Sequence, residues 1–384
     1  GRAFYAILKF VLLRDPDGAM AELDTALILD PEFQLALSFY IELYMQQERY
    51  DDAITKAKIV KGHHPESPDG YKSLSDIYFV QNRFDESMAE GKLLLEKFPD
   101  HESILDRLVS IQIHKRNFEE ARKYNEYIKE RHGDDPYLMV DYYANLANFD
   151  FWNGRFKSGF ENLKKAAKQA DPTGDSILIY NQYSTISDYY ETLERPDSAL
   201  YYNRIAYKWA SRFQLFDYPL LLVKIDPKNE PEARVLFDRA LENFKERLPA
   251  SLWSLGDRLK ERFNTICSGD TVGQREAIRK IVDEQKQAST GNLITLGKYC
   301  YLTGQYAEAR KELDKVVLPG AQNITSRVVS HMRAVYYHGM ACEALGDTAA
   351  AIADYQEILK YWGKVDMKLD LVSDTRARLD KLTS

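Results

Sequence analysis

The sequence predicts an all-α protein, built as a solenoid of antiparallel helix pairs. Pro31, Pro65 and Pro99 recur every 34 residues, and each ends a segment in which apolar residues follow helical spacing. A fixed period of this length is typical of helical repeat arrays. Because such arrays bury their core between neighbouring repeats, we expect function on an extended surface rather than in an enclosed pocket.

The repeat that ends at Pro65 shows how one helix pair is specified. Apolar residues at positions i, i+3, i+4 and i+7 form one face of its first helix: Leu37, Tyr40, Ile41 and Tyr44. The second helix presents the small residues Ala53 and Ala57, which let two helices approach closely. His64 and Pro65 end it, since the residue before proline avoids helical angles and proline lacks the N–H of the next bond.

The same pattern recurs unevenly along the chain and predicts three regions. An N-terminal block, residues 1–210, holds about six repeats, the first of them partial. In residues 211–287 the pattern fades, and we interpret this irregular helical segment as degenerate repeats. The pattern returns in a C-terminal block, residues 288–384, where an amphipathic helix at 367–382 is expected to cap the last repeat.

These residues resemble the tetratricopeptide repeat family. The likeness lies in a small residue late in the first helix, an aromatic residue opening the second, an alanine three residues later and a closing proline, as in LGKYCYLTGQYAEA. It implies a right-handed superhelix of stacked helix pairs, whose concave groove binds a peptide or helix of another protein. The C-terminal part also resembles repeat arrays of large bacterial signalling proteins, in which such repeats follow a kinase or transcription-regulator module.

Composition narrows the classes of partner. A net charge of -7 leaves no excess of Lys and Arg for phosphates, so we expect no nucleic acid partner. The longest apolar stretch near the start is shorter than the roughly 20 residues that cross a bilayer, so we expect no direct membrane insertion. Three cysteines without CxxC spacing fit a reducing compartment such as the cytoplasm, although localisation stays open. The start at Gly1, inside a helix pattern, is expected of a piece of a longer chain.

The sequence predicts a protein that is not an enzyme and needs no cofactor or metal. Motifs of kinases, phosphate-binding loops, serine hydrolases and zinc proteases are absent from it. His63 and His64 stand at a helix end and are interpreted as a solvated pair rather than as metal ligands. Cys300, Cys342 and His338 occupy positions that face the predicted core, so packing explains them.

The predicted partner-binding groove lies on the side of the first helices that faces away from the second helices. Acids and rings mix at these positions: Glu42, Met45, Asp76, Phe79, Asp106, His114, Asn148, Phe151, Trp152, Asp188 and Glu191. Such a groove suits a basic partner segment with an apolar anchor, because opposite charge speeds encounter and buried rings supply affinity. In the alternative interpretation, the rings pack between repeats and the acids only solvate the surface.

Several functions stay open at this point. The first hypothesis is an interaction scaffold, with self-association also possible, and the second is a sensory or regulatory region of a larger bacterial signalling protein. A third class comprises an RNA-binding helical repeat, which the acidic balance disfavours, and a hydrolase with its site in residues 211–287.

Overall fold

The computed structural model describes residues 1–13, 15–99, 101, 103–247, 253–284, 289–317 and 328–384. Within these ranges all regular structure is helical, without a β-strand, which confirms the predicted all-α fold class. The chain divides into two compact units, a first unit, Gly1–Arg131, and a second unit, His132–Ser384. The predicted regions with boundaries at 210 and 287 follow the repeat motif rather than this division, and they stay a prediction.

Eight helices make up the first unit as far as it is described. They are α1 (Arg2–Leu13), α2 (Pro16–Leu29), α3 (Gln34–Gln46), α4 (Tyr50–His63), α5 (Asp69–Val80), α6 (Phe84–Lys97), α7 (Ser103–His114) and α8 (Phe118–His132). Each odd-numbered helix is the first helix of a pair. In the first three pairs it packs along the even-numbered helix that follows.

The described part of the second unit continues the same pairing. Its helices are α9 (Pro136–Trp152), α10 (Phe156–Ala170), α11 (Ser176–Thr192), α12 (Pro196–Tyr207), α13 (Asp217–Ile225), α14 (Glu230–Arg247), α15 (Trp253–Cys267), α16 (Thr271–Glu284), α17 (Thr290–Leu302), α18 (Tyr306–Val317), α19 (Val328–Ala344), α20 (Thr348–Trp362) and α21 (Asp370–Thr383). Short 3-10 helices lie at Asp171–Thr173, Arg212–Phe216 and Pro227–Asn229. Ala321, which takes the place of the closing proline in one repeat of the sequence pattern, lies outside the described residues.

One turn geometry recurs between the two helices of a pair. In the α3–α4 turn Glu48 has a φ of 60°, and the N–H of Arg49 donates to the carbonyl oxygen of Tyr44 at 2.8 Å. Equivalent turns place one residue in the left-handed region in seven further pairs: Asn82, Arg116, Gly154, Glu194, Gly269, Gly304 and Gly346. This six-residue closure satisfies carbonyls that the helix end leaves unpaired.

The apolar stripes predicted from the sequence form the core of each unit. Leu37, Tyr40 and Ile41 of α3 are buried, and Ala53 and Ala57 of α4 are fully enclosed beside them. Cys300 and Cys342 are buried as well and are free thiols. At the end of the chain, α21 packs against α20 and sets its leucines against the cluster around Cys342.

The second unit closes on itself. Helix α19 contacts α9 and α11 as well as its neighbour α17. The indole N–H of Trp362 donates to the carbonyl oxygen of Phe151 at 2.8 Å, and the backbone N–H of Asp366 donates to the carbonyl oxygen of Gly154 at 3.1 Å. Its last helices therefore pack on its first ones, and first-helix faces that are far apart in sequence come together.

Candidate functional site

In the first unit, three of the predicted groove residues lie where α5 and α7 meet. The carboxylate of Asp76 pairs with Lys72 at 2.7 Å and with Arg107 at 3.1 Å. The guanidinium of Arg107 also lies over the ring of Phe79, 4.0 Å from its centroid. His114 packs edge-on against Phe79. Asp76, Phe79 and His114 therefore form one half-buried cluster in which the acid is already neutralised.

Phe84 of α6 completes this cluster. Its ring stacks on His114 with a centroid distance of 5.1 Å and a 10° angle between the planes, and it lies 5.6 Å from Phe79. Offset and edge-on ring pairs of this kind add stabilisation beyond the area they bury. Phe84 was not among the predicted groove residues, because it opens a second helix.

The other predicted residues of the first unit differ in exposure. Glu42 is exposed on α3, where Gln46 donates to its carboxylate at 2.9 Å. Asp106 is exposed on α7. Met45 is half-buried and packs against the core between α3 and α4. Glu42 and Asp106 are thus the exposed acids among the predicted residues of this unit.

Phe151 and Trp152 of the second unit lie in its interior, with 0% and 1% of their surface exposed. Phe151 contacts three rings, those of Phe156, Phe160 and Tyr189, at centroid distances of 5.0 to 5.5 Å. Trp152 packs edge-on against Tyr361 at 4.9 Å. These positions correct the expectation that both rings line an open groove, because rings of α10 and α11 cover Phe151 and side chains of α19 and α20 cover Trp152.

The remaining predicted residues of the second unit lie on first helices. Asn148 is half-buried on α9 and accepts a hydrogen bond from the hydroxyl of Tyr189 at 3.4 Å. Asp188 is exposed on α11. Glu191 pairs with Lys224 of α13 at 3.3 Å. Burial alone would raise the pKa of Glu191, but the positive charges of Lys224 and Arg333 hold it below its usual value.

A cleft of about 390 Å³ opens beside Glu191 where the second unit closes. Residues from the end of α11, from α17 and α19, and from the segment before α21 line it. Arg195 bridges two of these parts, since its guanidinium donates to the carbonyl oxygen of Lys368 at 3.1 Å. The repeat pattern predicts an extended surface and not this cleft, because no local pattern in the sequence indicates that α11 and α19 meet.

Two cations, Lys298 of α17 and Arg333 of α19, face this cleft. Burial and the positive charges of Arg333 and Lys224 lower the pKa of Lys298 to about 8. Burial also lowers the pKa of Arg262, on α15, more than Tyr299 and Asp217 raise it. Cations thus line this cleft together with the predicted acid Glu191.

A cluster of ionisable groups is buried between α18, α19 and α20. Nδ1 of His338 lies 2.6 Å from Asp354, and Nε2 lies 2.9 Å from Asp314. Burial alone would lower the pKa of His338, but the hydrogen bond with Asp354 and the proximity of Cys342 raise it to about 10. Burial also raises the pKa of Asp354, against the effect of His338.

The same cluster has the residue types of a metal site. Donor atoms of His338, Cys342 and Asp354 lie within 4.8 Å of one another. However, each imidazole nitrogen already faces a carboxylate, and a doubly protonated ring has no lone pair for a metal. The arrangement therefore fits a buried ion-pair network better than a metal centre.

The start of the chain matches a known protein family. Residues 10–62 and 43–102 match the family model of the tetratricopeptide repeat. This part of the chain therefore carries tetratricopeptide repeats. Tetratricopeptide repeats are typical of protein–protein interaction scaffolds. No curated protein matches the chain.

The chain is also similar to several solved structures that contain tetratricopeptide repeats. They include yeast Tom70 (14% identity, 92% of this chain and 96% of that chain, TM-score 0.36), a human IFIT1 dimer with PPP-AAAA (16%, 93% and 81%, TM-score 0.42) and Naa15/Naa10 bound to HypK-THB (12%, 99% and 76%, TM-score 0.32). At these identities and TM-scores the likeness carries no information on function. In the part of the chain that the structure describes, no helix combines the length and the apolar character needed to cross a bilayer.

Proposed function

We propose that this protein is a non-catalytic scaffold that binds a segment of a partner protein on the first helices of its first unit. The partner segment would be basic with an apolar anchor. The observation that carries the proposal is the half-buried ring cluster of Phe79, Phe84 and His114. The first helices of the same unit also carry the exposed acids Glu42 and Asp106.

The two kinds of side chain have different roles in this proposal. Partly exposed rings bury apolar area when an anchor residue packs on them, and such contacts dominate binding energy at interfaces. Exposed acids at the rim steer a basic segment towards the face and make association faster at low salt. Asp76 contributes little attraction, because Lys72 and Arg107 neutralise it.

Binding of matched peptides to the intact chain tests the proposal. One peptide set places Lys and Arg around a Phe or Leu anchor, and the second set carries Glu at the same positions. Biolayer interferometry at low and physiological salt should show tighter binding of the basic set, which weakens as salt rises. Equal binding of both sets would contradict the proposal.

Charge reversal locates the binding face. The double variant Glu42→Lys and Asp106→Lys should weaken binding of the basic set by roughly tenfold or more, mainly through the association rate. The matched control reverses the exposed acids Glu96 and Glu130, which lie on the second helices α6 and α8. If both double variants bind alike, the proposed face is wrong even where the scaffold function holds.

A further inference from the structure

We propose that the cleft of the second unit is a binding site for a small organic oxyanion, a ligand that carries phosphate or carboxylate groups between Lys298 and Arg333. This inference is independent of peptide binding by the first unit, because it concerns other residues and another class of ligand.

The charge balance inside the cleft leads to this inference. Three of the four acids that line it have cationic partners: Glu191 pairs with Lys224 at 3.3 Å, Asp374 with Arg378 at 2.5 Å, and Asp370 with Lys368 at 3.6 Å. The fourth, Glu194, raises the pKa of Lys298 through its charge but forms no ion pair with it. Among the described residues, neither Lys298 nor Arg333 has a carboxylate oxygen within 4.0 Å. These two neighbouring cations thus lack an acidic contact partner within the described part of the cleft.

The surroundings of Lys298 disfavour the protonated form of its amine. Burial of its amine is the largest cause that lowers the pKa of Lys298 to about 8, and the like charges of Arg333 on α19 and Lys224 on α13 lower it further. The charges of Glu191 and Glu194 oppose this shift without cancelling it. An oxyanion placed between the two cations would remove the repulsion and restore the protonated amine.

The cleft also limits the kind of oxyanion. Its volume of about 390 Å³ falls in the range of small-molecule sites. The guanidinium of Arg333 offers a planar pair of donors that matches carboxylate and phosphate geometry, and Lys298 adds a mobile ammonium. A ligand with two or more negative charges satisfies both groups at once.

Isothermal titration calorimetry on the intact chain tests the site. The probes are inorganic phosphate, pyrophosphate and citrate, each at one fixed ionic strength, with sodium chloride as the reference titration. At pH 8 we expect saturable binding with uptake of up to about half a proton per site, because Lys298 is then half protonated. Two buffers with different ionisation enthalpies measure this uptake.

Substitutions assign the binding to these residues. Lys298→Met and Arg333→Gln should each weaken binding by roughly tenfold or more, and Lys298→Met should abolish the proton uptake. The control Lys311→Gln removes an exposed lysine of α18 outside the cleft and should bind as the unmodified chain does. Thermal melts verify that each variant is folded.

The outcomes separate the sources of the anion. Binding of pyrophosphate without citrate assigns a phosphate ligand, and the reverse assigns a polycarboxylate. The absence of saturable heat with all three probes overturns the proposal, as does unchanged affinity in folded Lys298→Met and Arg333→Gln. Neither of these two negative results bears on the proposed peptide binding by the first unit.

Discussion

The carboxylate of Asp366 accepts a hydrogen bond from the backbone N–H of Phe156, 2.8 Å away and 210 positions earlier in the chain. It also accepts from the N–H of Lys157 at 3.2 Å. Arg155, the residue that precedes α10, makes no capping hydrogen bond with its side chain. Asp366 therefore caps α10 from the far end of the second unit and supplies a negative charge at its N-terminus.

Removal of this cap should destabilise the second unit. We expect Asp366→Ala to lower the free energy of unfolding by about 1–2 kcal/mol, because two helix N–H groups lose a charged acceptor. Urea unfolding followed by circular dichroism measures the change. The control Asp380→Ala removes an exposed acid near the end of α21 and should change stability by less than about 0.5 kcal/mol. Equal effects would show that the cap adds nothing.

Truncation of Phe151 should act on stability rather than on a binding surface. Because the ring is fully buried among other rings, we expect Phe151→Ala to cost about 3–5 kcal/mol. Tyr137→Ala, on the same helix, removes a half-exposed ring and serves as the control. A Phe151→Ala variant with unchanged melting would contradict the packing of this ring.

Stability should depend on the protonation of Lys298. Its pKa in the folded chain is about 8, below the ordinary value of 10.5, so folding disfavours the charged amine. Its unfavourable contribution is complete below pH 8 and disappears as pH rises towards 10.5. Lys298→Met should therefore raise the free energy of unfolding at pH 7 by up to roughly 3 kcal/mol and by much less at pH 10.5. A gain that is independent of pH would refute this mechanism.

His338 should give the opposite pH dependence. Its pKa is raised from 6.5 to about 10 in the folded chain, so its contribution is complete below pH 6.5 and is lost as pH rises through 10. We expect His338→Gln to cost roughly 2–4 kcal/mol at pH 6 and less at pH 10. Imidazole NMR signals, assigned by comparison with His338→Gln, should show His338 still protonated at pH 8. A titration midpoint near pH 6.5 would contradict the raised pKa of His338.

The turn at Glu48 offers a test of backbone strain. A residue with a side chain pays a steric cost at a φ of 60°, and glycine does not. We expect Glu48→Gly to raise the free energy of unfolding by up to about 1 kcal/mol, as measured by urea unfolding. The reciprocal change at the equivalent turn, Gly346→Ala, should lower it by a similar amount. Both changes in the same direction would contradict the turn assignment.

The predictable part of this structure is the part that short-range patterns encode. The stripe Leu37, Tyr40 and Ile41 fixes which face of α3 is buried, and Ala53 and Ala57 mark where α4 crosses it. The positions of the turns could also be predicted from the sequence, since Glu48, Asn82 and Arg116 recur at the same 34-residue spacing as the prolines. Their side chains differ, however, and only the backbone angle is shared.

The closure of the second unit and its cleft could not be predicted from the sequence, for a physical reason. Repeat periodicity specifies contacts between adjacent helices, but it does not specify which distant repeats meet. Phe151 and Trp362 each match an ordinary core position, and no local pattern indicates that the indole of Trp362 donates to the carbonyl oxygen of Phe151. Lys298 and Arg333 likewise stand among ordinary surface cations in the sequence, and only the fold brings them into one cleft.

The distance along the chain between Asp366 and its partner Phe156 has a consequence for synthesis on the ribosome. At roughly 5–20 residues per second, the 210 intervening positions take about 10–40 s to translate. During that interval α10 exists without its cap, and the ring of Trp152 lacks His331 and Tyr361, which cover it in the folded unit. A nascent second unit therefore exposes an apolar edge that chaperones can bind, until its last repeats emerge.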